Sequence, residues 1–149
     1  MSFRAKLYQM ILILLAISIG LTGAWLITTS FDDALEREVE AAQSDTRMAL
    51  YALAAASGGH IEGQEKTLTE TVRSMEQQSS AMYCLTAADG VRLYQDDRIG
   101  FLDSMADAAR PDALVWRIGE HEDWHYLQIV GALTDPDGGI VYLEALHTV

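Results

Sequence analysis

The sequence predicts an α+β protein: a long N-terminal transmembrane helix that continues into a domain built on a five-stranded, mainly antiparallel sheet. Three observations lead there. Met10 to Ile27 contains no charged residue and is dominated by Ile, Leu and Ala. Phe31 to Ser57 contains neither Gly nor Pro and is rich in Ala, Glu, Leu and Arg, a composition that favours unbroken helix. Beyond Ser80 the pattern changes to short apolar runs separated by turn residues, which is how antiparallel strands read.

The first element is a membrane span over residues 7–28, since at ~1.5 Å per residue a helix from Leu7 to Thr28 covers about 30 Å of hydrocarbon. A cleaved signal peptide is the competing reading. The apolar core exceeds the ~7–15 residues of such peptides, and Ile27-Thr28-Thr29-Ser30 offers no small-x-small cleavage site, so an uncleaved anchor is expected. Arg4 and Lys6 precede the span, whereas Asp32, Asp33 and Glu36 follow it. The positive-inside tendency therefore predicts a cytoplasmic N-terminus (1–6) and an extracytoplasmic domain (29–149) at the cell membrane.

All 22 acidic residues and eight of the ten basic ones follow Ser30, leaving that part with a formal charge of −14. So acidic a surface excludes nucleic acid as a partner and repels anionic lipid head groups; the bilayer is expected to be contacted by the span alone. Cys84 is the single cysteine, so no intrachain disulfide can form; a lone thiol outside the membrane is best kept buried, so Cys84 is expected in the core, an intermolecular link being the competing reading.

Within the membrane-proximal helix, 31–57, the residues Leu35, Val39, Ala42, Thr46, Ala49, Leu53 and Ala56 alternate spacings of four and three. That is the a/d seam of a coiled coil and predicts a homodimer through this helix, a core stripe within one chain being the competing reading. Gly58-Gly59 ends the helix. A second helix, about 64–79, is signalled by Leu68, Val72 and Met75, with Thr67-x-x-Glu70 expected as a capping box at its start. The sheet then occupies 81–149. Its strands are Ala81 to Ala87, Val91 to Gln95, Leu114 to Ile118, Trp124 to Leu133 and Ile140 to Val149. Ala88-Asp89-Gly90 is a hairpin turn, Phe101 to Ala109 a brief helix, and Gly119–Asp123 and Asp135–Gly139 the later connections.

This order of elements resembles the extracytoplasmic PAS-like and Cache-like sensor domains of bacterial sensor histidine kinases and chemoreceptors. The stretch Met82-Tyr83-Cys84-Leu85-Thr86-Ala87-Ala88-Asp89-Gly90-Val91-Arg92-Leu93-Tyr94 looks like their first hairpin. Leu21-Thr22-Gly23-Ala24-Trp25-Leu26-Ile27, Phe31-x-x-Ala34-Leu35-Glu36-Arg37-Glu38, His121-Glu122-Asp123-Trp124-His125-Tyr126-Leu127 and Gly131-Ala132-Leu133 are similar to the N-terminal sensor region of Clostridia-type sensor histidine kinases. The resemblance implies a signal-input module of a two-component system, truncated before the second membrane helix, HAMP linker and kinase domains. No phosphoacceptor box of the His-Glu-Leu-Arg-Thr-Pro kind occurs within residues 1–149, so these residues are expected to catalyse nothing, their parent being a protein-histidine kinase. A cognate response regulator would be reached only through the kinase domains. No cofactor is expected.

Tyr94, Trp116, Arg117, His125 and Tyr126 are the candidate residues facing a small-molecule or peptide stimulus, because aromatics and a cation suit a small polar ligand. Ordinary packing is the competing reading for each. The main alternative function is a membrane-anchored zinc metallopeptidase, since His121-Glu122-Asp123-Trp124-His125 matches H-E-x-x-H and Glu144 lies downstream as a third ligand. That chemistry needs both histidines on one helical face, whereas Gly119 precedes the motif and strand-like Tyr126 to Val130 follows it, so no metal is expected at His121, His125 and Glu144. A non-catalytic, membrane-anchored structural domain is the third reading.

Overall fold

The computed structural model of the chain describes residues 2–148; Val149, assigned above to the last strand, and Met1, in the N-terminal segment, lie outside them. It is α+β, in the order α1 (Phe3–Ala56), α2 (Glu65–Gln78), β1 (Met82–Ala87), β2 (Arg92–Gln95), β3 (Val115–His121), β4 (Trp124–Thr134) and β5 (Ile140–Thr148). The chain divides into two units, Met1–Glu38 and Val39–Val149.

In the first unit the stretch of α1 from Met10 to Ile27 carries no charge on any side: Leu12, Trp25 and Ile27 are each about 70% exposed, a surface that water disfavours and hydrocarbon does not. Its polar side chains are satisfied locally, Thr22 Oγ1 donating to the Ser18 carbonyl at 2.8 Å and Thr28 Oγ1 to Ala24 at 2.9 Å. By length and composition this is the one described helix able to cross a membrane.

In the second unit one antiparallel sheet runs β2-β1-β5-β4-β3, the hairpin β1–β2 joining the meander β3–β4–β5 through the β1–β5 ladder. Alternation gives it two faces. Tyr83, Leu85, Val141, Leu143 and Ala145 meet α1 and α2 through Ala49, Leu53, Leu68 and Val72. Val39 and Ala42 continue the same contact onto Leu127 and Ile129. Met82, Cys84, Tyr126 and Leu146 face the other way, where a strap of residues 96–114 covers them with Ile99 and Leu102. Cys84 is buried, as expected.

The stripe read as a dimer seam is therefore largely occupied by the chain itself. Val39, Ala42, Thr46, Ala49 and Leu53 are all buried against the sheet, so these side chains are not free to meet a second helix; Leu35 is half-buried and Ala56 exposed. The small residues let helix and sheet approach closely, and Gly131 does the same from the sheet side, since a Cβ there would lie 2.6 Å from Leu50 Cδ1.

Three further expectations change. α2 starts at Glu65 after Gln64, which makes no side-chain cap, so Thr67-x-x-Glu70 lies inside the helix; Thr67 uses its carbonyl to accept from Thr71 Oγ1. The helix expected over Phe101 to Ala109 shrinks to a single 3₁₀ turn, Ala106–Ala108, with a second such turn at Asp97–Ile99. Between them the backbone groups of Asp103 and Met105 bond to side chains of the sheet instead of to their own turn. β3 runs on to His121, so the β3–β4 connection is two residues, Glu122 and Asp123, not five. Gly58 and Gly59, at φ +65° and +83°, end α1 as expected.

Leu53 is fully buried between α1 and the sheet, so Leu53→Ala should destabilise the full chain in detergent by about 2–5 kcal/mol. Tyr51→Ala, on the exposed side of the same turn, should cost about 0.5 kcal/mol or less. Denaturant titration compares the two.

Candidate functional site

Strand alternation distributes the predicted stimulus-facing residues over three places. Trp116 pairs across from Ile129 and His125 from Glu120, which puts both on the helix-covered face, where they remain exposed at the β3 edge. Arg117 and Tyr126 belong to the strap-covered face, opposite Gln128 and Gly119. Tyr94 lies at the far edge of the sheet, on β2 beside α2, with Arg73 5.9 Å above its ring. No single site contains all five.

The H-E-x-x-H segment is strand, turn, strand. His121 and Trp124 pair across the turn and Glu120 pairs with His125, so the two imidazoles project from opposite faces. His121 stacks on Phe101 with ring centroids 3.6 Å apart, and Trp124 and Tyr126 pack edgewise on the same phenyl ring. Glu122 is the turn residue, held at φ +55°, and its side chain is exposed. Glu144 lies on β5 beneath the strap. Among the described residues no three His, Cys, Asp or Glu side chains converge as a metal site would require.

What the fold does bring together is a polar cluster under the strap. Glu144, 1% exposed, stands across β1–β5 from Cys84. Its Oε1 accepts from the Met105 N–H and, at 3.4 Å each, from Ser104 Oγ and Gln128 Nε2. Gln128, fully buried, also donates to the Asp103 carbonyl at 3.0 Å and accepts from Arg117 Nε at 2.8 Å; Arg117 Nη2 reaches the same carbonyl at 3.2 Å. The strap's backbone is thus fastened to three side chains of the meander. Glu144 Oε2 is buried with no hydrogen-bond partner among the described residues. Burial, then the neighbouring Glu144 charge, pushes the Cys84 thiol up, which keeps it protonated and unreactive.

A second cluster borders a cleft of about 550 Å³ between α2 and β2. Glu76 Oε2 accepts the Tyr83 N–H at 3.1 Å. Asp96 begins the strap, its Oδ1 accepting the Arg98 N–H at 2.9 Å and its Oδ2 accepting from Arg98 Nη2 at 2.6 Å. The same guanidinium is 3.8 Å from Glu76 Oε1. Burial and contact with Asp96 push Glu76 up to about 7, while Arg98 holds Asp96 well below the usual carboxylate range.

Of these residues, Tyr94, Arg117, Tyr126 and Glu144 were named from the sequence, Glu144 as a metal ligand, whereas Gln128, Glu76, Asp96 and Arg98 were not. The signal for Gln128 and Glu144 was present: each is the lone polar residue inside a strand run that is otherwise apolar, which is how a buried hydrogen-bonding side chain reads. Asp96-x-Arg98 carries the spacing of an Asp-initiated turn. Nothing local marks Glu76, whose partners come from a strand and a loop.

Compared with protein-family models and with curated proteins, the chain matches none.

Glu144→Ala should cost about 2–3 kcal/mol, because it leaves the buried Met105 N–H and Gln128 amide short of an acceptor, and Glu144→Gln markedly less. Amide exchange at Met105 should accelerate in the first variant. At the turn, Glu122→Gly should stabilise the fold by about 0.5–1 kcal/mol by relieving the left-handed backbone, an outcome read as a higher Tm.

Proposed function

We propose that the chain is the signal-input module of a membrane sensor histidine kinase, with a PAS-like or Cache-like domain outside the cell membrane. The observation that carries this reading is the continuity of α1, which runs from the apolar segment able to cross a membrane to the stripe on which the sheet packs. A change in how the sheet sits on Val39 to Leu53 would then act on the same helix that carries the apolar segment. A single antiparallel sheet with helices on one face and a loop strap on the other also supports the PAS-like reading. Arg4 and Lys6 before the span, and acidic residues after it, support an extracytoplasmic domain.

The stimulus would be a small polar molecule or peptide end read beneath the strap. Arg117 supplies a cation at the rim, and the partnerless Glu144 Oε2 supplies an acceptor at the floor. Pairing with a second copy would use the sides of α1 that the sheet leaves open, where Met48 and Tyr51 are exposed. The response regulator would be engaged by kinase domains outside these residues.

In intact cells, a thiol at exposed Glu62 should react with a membrane-impermeant reagent, and protection until lysis would reverse the orientation. In the full chain, Met48→Cys and Tyr51→Cys should crosslink two copies while Ala49→Cys, buried against the sheet, should not. Screened against amino acids and dicarboxylates in detergent, the full chain should rise in Tm with at least one compound, and Arg117→Ala or Glu144→Gln should abolish that rise. A rise unaffected by both substitutions would remove the strap cluster as the stimulus site.

A further inference from the structure

We propose that Glu76 and Asp96 form a proton-sharing carboxyl pair that makes the docking of α2 on β1 and β2 dependent on pH. Carboxylates are acceptors only, so two that crowd one guanidinium need a proton between them or a cation for each. Here one cation serves both unequally. Arg98 is committed to Asp96 through Nε and Nη2, at 3.0 and 2.6 Å to its two oxygens, and lies 3.8 Å from Glu76. Glu76 is left without a close cation of its own, and in the proposed pair a proton on Glu76 takes that role, shared with the Asp96 carboxylate.

The pair sits where α2 meets the sheet. Glu76 is in the last turn of α2 and its Oε2 holds the first β1 amide beyond Met82, that of Tyr83, while Asp96 begins the strap directly after β2. The groups lining the cleft around it are Arg73 on α2, the Tyr94 hydroxyl on β2, and Asp97 and Arg98 on the strap; Asp45 on α1 acts on the Tyr83 phenol behind them. Arg73 is engaged over the Tyr94 ring and leaves Arg98 as the nearest guanidinium. Loss of the Glu76 proton therefore places two negative charges on one guanidinium at the join that holds Leu68 and Val72 in the core.

The direction follows from linkage. Glu76 is raised from 4.5 to about 7 in the folded chain, so docked α2 binds a proton that undocked α2 releases, and docking weakens as pH rises from about 4.5 to about 7, then levels off. Asp96 moves the other way, and its contribution, complete above its ordinary range, fades only in acid below that window. The device does not depend on the signal-input reading, because its test measures docking rather than signal output.

Hydrogen exchange of the full chain in nanodiscs, corrected for intrinsic rates, should show protection across Leu68 to Met75 falling by about tenfold or more between pH 5 and pH 7.5. Glu76→Gln, whose amide can donate to Asp96 and still accept the Tyr83 N–H, should hold protection high and flat. A wild-type chain without that fall, or a Glu76→Gln chain that keeps it, would overturn the proposal. Carbon-13 NMR of the Glu76 carboxyl in the wild-type chain gives a reading that needs no variant: a midpoint near 7 is expected, and an ordinary midpoint near 4.5 would overturn it equally.

Discussion

The β1–β5 ladder is the contact on which the rest of the second unit depends. It joins residues 82–87 to 141–146 and so unites a local hairpin with a local meander. Once they are joined in the order β2-β1-β5-β4-β3, the end of β2 and the start of β3 lie on opposite edges of the sheet. The 19 residues from Asp96 to Leu114 must then travel across the sheet, a distance of about four strand spacings or ~19 Å. One face is already occupied by α1 and α2, so the connection crosses the other. The strap is thus a consequence of topology.

This explains which parts of the architecture were legible in the sequence. α1, α2 and the strands announce themselves by period: apolar residues at three and four, or short runs bounded by Asp-Gly and Pro-Asp-Gly-Gly turns. The strap has no period of its own. Phe101 to Ala109 resembles a helix because Leu102, Met105, Ala106 and Ala109 recur at helical intervals, yet those intervals serve a chain that drops Leu102 and Met105 onto a sheet. Gly119 misled in the same way. A glycine so close to a turn reads as part of it, whereas here it sits within β3 because the Tyr126 ring lies over it, and a Cβ would come within 2.3 Å of that ring.

The coiled-coil pattern of α1 shows a different limit. A spacing of four and three states only that one helical stripe is apolar; it is silent about whether a helix or a sheet covers it. Composition discriminates in retrospect. Ala42, Thr46 and Ala49 are small, and small side chains suit a broad sheet surface lined by Leu127, Ile129, Leu143 and Ala145 better than the knobs of a two-helix seam. The candidate site was less legible than the fold for a related reason: Gln128 and Glu144 are visible as interruptions of apolar strands, but their partners lie in a strap whose path is fixed only after the sheet has closed.

That path also accounts for where the buried polar groups are. A helix brings its own hydrogen bonds, so the helix-covered face of the sheet supplies few from side chains, and the cluster between them is Leu, Val, Ile and Ala with Tyr83. A crossing segment without regular structure arrives with unpaired backbone groups that burial does not tolerate. The sheet must supply partners, and it does: Glu144 for the Met105 N–H, Gln128 and Arg117 for the Asp103 carbonyl. Each such bond is worth about 1 kcal/mol net, and the buried side chains of Ile99, Leu102 and Met105 add apolar packing to them. The two faces of the one sheet are therefore covered in different ways, one by helices that pack on it through apolar side chains alone and one by a segment that the sheet must hold by its polar side chains as well.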